Sequence, residues 1–104
     1  MGDTVQELTN AVVNPGAAVH GHTAVTTAGT QLVLGTTASI PSGTVHIKAL
    51  SANTGLIFIG GSAVSSADGW QLAAGEEIYW PATDLADVYV DSAVNGEGVC
   101  FEYS

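Results

Sequence analysis

The chain has 104 residues, among them ten acids, a single lysine, Lys48, and no arginine, so that its net charge is −9; 46% of the residues are hydrophobic and only 11% are charged. That length supports one domain with its own core, and the charge excludes the neutralisation of phosphates by Lys and Arg on which binding to nucleic acid or an anionic membrane depends. One cysteine, Cys100, allows neither an intrachain disulfide nor a zinc-type cysteine cluster, which leaves proteins, cations and neutral sugars as partners.

Residues 1–18 read as an arm outside the core. Met1-Gly2-Asp3 offers no basic and apolar leader, and no apolar run approaches the roughly 18 residues of a membrane span, so a soluble chain without a secretion signal is expected. Thr4 to Val13 suits a short helix with Val5, Leu8 and Val12 on one side, broken by Asn14-Pro15-Gly16. A helix this short is marginal alone, so the arm, extended or briefly helical, is expected to order only against something it packs on.

From Val19 to Ser104 the signals are those of one β domain. Strands are predicted at Thr23 to Thr27, Gln31 to Gly35, Thr44 to Leu50, Leu56 to Ile59, Trp70 to Ala73, Glu77 to Trp80, Val88 to Asp91 and Val99 to Tyr103. In the third, Val45, Ile47 and Ala49 alternate with His46, Lys48 and Leu50, which marks a half-buried strand. The fourth is a continuous apolar run between glycines, as for a strand covered on both faces. Turns are marked by Pro41-Ser42-Gly43, Asn53-Thr54-Gly55, Asp68-Gly69, Ala74-Gly75 and Asn95-Gly96. Strands this short and regular predict an all-β sandwich or small barrel, and the expected fold is an antiparallel β-sandwich of jelly-roll-like form. Val45-His46-Ile47 through Asn53 and Gly55 to Phe58 is loosely echoed by Val88-Tyr89-Val90 through Asn95 and Gly98 to Phe101, which would suit a repeated hairpin.

No pair of carboxylates or nucleophile with a base stands out, so no enzyme and no cofactor are expected. Asp84, Asp87 and Asp91 with Glu76-Glu77 read as turn and edge charge; Asp84 and Asp87 are the first candidates for a Ca²⁺ site, although no EF-hand-like loop is present. His20-Gly21-His22 would point both imidazoles to one side of a strand, and in a homotrimer three such pairs would offer six nitrogens to a transition metal. His46, beside Lys48, reads as surface or interface. Cys100 reads as a small apolar residue. Phe58, Phe101 and Tyr89 read as core or sheet residues, whereas Trp70 follows the turn Ser65 to Gly69 and is expected to be accessible.

The run Val45-His46-Ile47-Lys48-Ala49-Leu50, then Asn53-Thr54-Gly55, Ile59-Gly60, Gly69-Trp70-Gln71-Leu72, Gly75-Glu76 and Asp87-Val88-Tyr89-Val90, covers a little over half of the chain and resembles small β-sandwich structural proteins of tailed bacteriophages. The resemblance implies a virion protein, foremost a capsid decoration or cement protein on the outer head surface that binds the major capsid protein and copies of itself as a homotrimer. In that setting Val5, Leu8, Val12 and Val13 are the expected arm anchors and Trp70, Tyr79 and Trp80 the expected interface aromatics. The alternative is a carbohydrate- or receptor-binding module of a tail or fibre carried by Trp70, Trp80 and nearby acids.

Overall fold

A computed structural model of the protein describes residues 18–104; the arm anchors Val5, Leu8, Val12 and Val13 and the helix expected at residues 4–13 lie outside the described residues. The strands are β1 (Val19–Ala24), β2 (Leu32–Val33), β3 (Thr44–Ala49), β4 (Ile57–Gly60), β5 (Trp70–Leu72), β6 (Glu77–Pro81), β7 (Tyr89–Ser92) and β8 (Gly98–Tyr103), with a single-turn 3-10 helix at Leu85–Asp87. They form two antiparallel four-stranded sheets, in the order β1-β8-β3-β6 and β2-β7-β4-β5. Two four-stranded sheets with this strand order are the jelly roll.

The alternation in β3 is seen directly. Val45, Ile47 and Ala49 are buried, and Thr44, His46 and Lys48 are half-buried on the opposite face. The inward face of the first sheet meets Ile57, Ile59, Leu72 and Val90 of the second, and Val25, Leu34, Ile40, Leu85 and Val88 close the core around them. Ile57, Phe58 and Ile59 are all buried, as a strand covered on both faces requires. Phe58 lies opposite Asp91 on the outward side of its sheet, and Gly69 of the β4–β5 connection lies close against it.

Two expectations differ from what is observed. The first strand begins at Val19 rather than Thr23, because pairing with β8 runs the whole length from Val19↔Tyr103 to Ala24↔Gly98. Glycine on an edge strand is weak by propensity, but the ring of Phe101 lies across Gly21 and supplies the missing contact. The echoed segments do not form a repeated hairpin. β3 to β4 and β7 to β8 each cross from one sheet to the other. Their two connections instead clasp one another: Asn53 Nδ2 donates to the Gly98 carbonyl at 2.9 Å, and Glu97 accepts from Thr54 N, Thr54 Oγ1 and Gly55 N at 2.7, 2.9 and 2.9 Å. These bonds hold the Glu97 carboxyl below its usual pKa, the Gly55 and Thr54 backbone donors contributing most.

Candidate functional site

The outward face of the first sheet gathers most of the chemistry that the sequence singled out. Because residues paired across an antiparallel ladder share a face, the register writes two rows across four strands: His20, Glu102, His46 and Tyr79, then His22, Cys100, Lys48 and Glu77. Their common orientation follows from the alternation that buries Val45 and Ile47 behind them.

His46 is held at the centre. Its Nε2 lies 2.7 Å from Glu77 Oε1 and its Nδ1 3.2 Å from Glu102 Oε1, while the Tyr79 ring stacks on the imidazole with centroids 4.4 Å apart and planes 11° from parallel. Partial burial draws the His46 pKa down, but the hydrogen bonds and charges of Glu102 and Glu77 together outweigh it, and the net shift is upward from 6.5. Both carboxylates are more than half exposed, so each pair is weakened by solvent.

Tyr79 is 68% exposed although it stacks on His46. It borders a depression lined also by Ser42, Thr44, His46, Glu102, Tyr103 and Ala18, the first described residue. The chain segment preceding the sandwich therefore joins it at the depression that Tyr79 borders.

His20 and His22 are both exposed and lie on one face, as the i, i+2 spacing predicts. Register sets them opposite Glu102 and Cys100. Among the described residues no group of three or more His, Cys, Asp or Glu side chains is placed to hold a metal ion. Cys100 is half-buried rather than sealed in the core, with its thiol directed at the Lys48 carbonyl at 3.8 Å.

The three aromatics expected at an interface separate into two places. Tyr79 faces outward on the first sheet, while Trp70 and Trp80 share a groove of about 520 Å³ between the β5 and β6 edges, where the two sheets part. Trp70 is 58% exposed. Trp80, on the inward face of β6, packs partly on the core and shows the groove its remaining surface. One wall is the β4–β5 connection from Gly60 to Gly69, fixed by reciprocal backbone bonds of 3.0 and 3.1 Å between Ser65 and Asp68 and by Gln31 Nε2 donating to the Ser62 carbonyl.

Of the remaining acids, Asp84 and Asp91 act on backbone. Asp84 caps the 3-10 turn, accepting from Ala86 N at 2.9 Å and Ala38 N at 3.2 Å; Asp91, buried, accepts from Ser92 N at 2.8 Å and Gly29 N at 2.9 Å. Asp87 is exposed at the end of the same turn. The Glu77–His46–Glu102 arrangement escaped sequence reasoning, because its three members come from different strands and only the register aligns them. The outward position of His46 in the alternating strand was the one available signal.

Searches of protein-family models, of curated proteins and of solved structures return no match to this chain.

Proposed function

We propose that this protein is a virion structural subunit, a capsid decoration protein that binds the major capsid protein and copies of itself through its arm and the outward face of its first sheet. The observation that carries the reading is the exposed Tyr79 bordering the depression at which the arm joins the sandwich. A large aromatic left out of its own core is a favoured interface anchor, and the apolar residues Val5, Leu8, Val12 and Val13 are available to extend the contact. The sparse charge of the chain is consistent with a surface partly covered by neighbours. Jelly rolls serve in viral capsids and in lectins alike, so the fold permits this role without selecting it.

Such a subunit stabilises a shell by adding contact across the joints between capsomers. An interface of ordinary size buries about 800 Å² per partner, and repetition over many copies turns a modest contact into a strong one. A homotrimer around a capsid three-fold position is the arrangement proposed.

The test is co-sedimentation with undecorated capsids of the parent particle. The full chain is expected to pellet with them, deletion of residues 2–18 to abolish pelleting with the sandwich still folded, and Tyr79→Ala to weaken it roughly tenfold, as loss of an interface aromatic does. Equal pelleting of all three proteins would overturn the proposal.

A further inference from the structure

We propose that the groove between Trp70 and Trp80 is a carbohydrate site that takes a neutral pyranose, stacked on the exposed Trp70 indole. It does not rest on the decoration role, since it lies between the β5 and β6 edges and uses neither Tyr79 nor the arm.

Three observations carry it. The groove of about 520 Å³ falls within the range of small-molecule sites. It presents two indoles, of which Trp70 keeps 58% of its surface free at the edge of β5. Indole faces are apolar and electron-rich, matched to the C–H face of a sugar ring, while the indole N–H remains a polar handle. Asp68, Gly60, Gly61 and Ser62 line the same space, so polar residues stand beside the stacking surface.

Charge narrows the ligand class. The groove is bordered by an acid and no base, and the chain as a whole carries −9, so sulfated, phosphorylated and carboxylated ligands are repelled while hydroxyl donors are accepted. A peptide added as an extra strand is disfavoured by the edges available. β5 has three residues, and β6 ends at Pro81, which cannot donate. The wall is also prepared in advance, since the Ser65–Asp68 bonds and the Gln31–Ser62 bond fix the connection. Such preorganisation lowers the cost of binding.

A ligand of one or two rings in an open groove binds with a dissociation constant on the order of millimolar. The full-length protein is titrated with glucose, galactose, N-acetylglucosamine and their oligomers, followed by tryptophan emission and by the two indole N–H resonances in NMR spectra. The expected result is a saturable change with at least one of these sugars. Trp70→Ala should weaken it by roughly tenfold or more, and Trp80→Phe and Asp68→Asn should each weaken it several-fold. Tyr79→Ala should leave it unchanged. Trp80→Phe is used because Trp80 also supports the core, and Trp70→Ala removes a largely exposed side chain. No saturable change with any of these sugars, or equal affinity in the Trp70→Ala protein, would overturn the proposal. Loss of sugar binding with capsid pelleting intact separates this site from the decoration role.

Discussion

Replacing Gly98 with alanine should remove a large share of the stability of the sandwich. A Cβ at this position would stand 2.0 Å from the Thr23 carbonyl oxygen and 2.7 Å from the Ala24 Cα, both backbone atoms that no rotamer change can move aside. β1 would have to retreat from β8 by roughly 1 Å or more to reach ordinary contact. On the other side Gly98 is fixed by Leu50 N and Asn53 Nδ2, which donate to its carbonyl at 3.1 and 2.9 Å. Overpacking of this kind costs about 1–3 kcal/mol, and each neighbouring bond lost, such as Val25 N to Glu97 O at 2.9 Å, costs about 1 kcal/mol more. The sum is about 2–5 kcal/mol, against about 5–15 kcal/mol for a whole domain. Equilibrium urea denaturation followed by tryptophan fluorescence measures it. With a slope of about 1 kcal/mol per molar urea, the midpoint should fall by about 2 M or more. Gly61→Ala is the control, because a Cβ there would meet nothing within 4 Å, and it should stay within about 0.5 kcal/mol of the parent. Equal midpoints for the two variants would refute the reasoning about the β1–β8 approach.

Three further outcomes can be measured on the same protein. His46 has its pKa raised in the fold, so its contribution is fully present below its unfolded value and is lost as pH rises through the folded one; the stability advantage of the parent over His46→Gln should shrink as pH rises above about 6.5, and an advantage independent of pH would contradict the Glu77 and Glu102 contacts. Glu97 is shifted the other way, so its contribution is present above its unfolded pKa and lost as pH falls through the folded value; Glu97→Gln should be less stable than the parent at neutral pH, with the difference closing in acid, as read from urea midpoints. Asp91→Ala should cost about 1–3 kcal/mol by leaving the buried Ser92 N–H without its acceptor and releasing the Gly29 loop, and an unchanged thermal midpoint would show that these bonds are replaced.

Much of this fold is legible along the chain because burial writes itself as a period of two. Val45, Ile47 and Ala49 announce the inward face of β3, and the run Ile57-Phe58-Ile59 announces a strand covered twice. His20 and His22 share a face for the same local reason. Register and crossing are different in kind, since they depend on residues far apart in sequence. Nothing near His46 announces that Glu102, 56 positions away, will face its Nδ1. The repeated asparagine and glycine turns suggested hairpins, yet turn chemistry alone does not say whether the next strand returns to the same sheet. Here Asn53 and Glu97 join two sheet-crossing connections instead. Trp70 and Trp80 likewise become neighbours only because β5 and β6 lie on different sheets at the same side of the sandwich.

Cryo-electron microscopy of the purified virion, with the sandwich fitted into the map, tests the proposed role most directly. The expected result is density for this chain on the outer capsid surface, with residues 2–18 and Tyr79 against the major capsid protein or a neighbouring copy. Density confined to the tail tip or fibres, or absent from the particle, would contradict it.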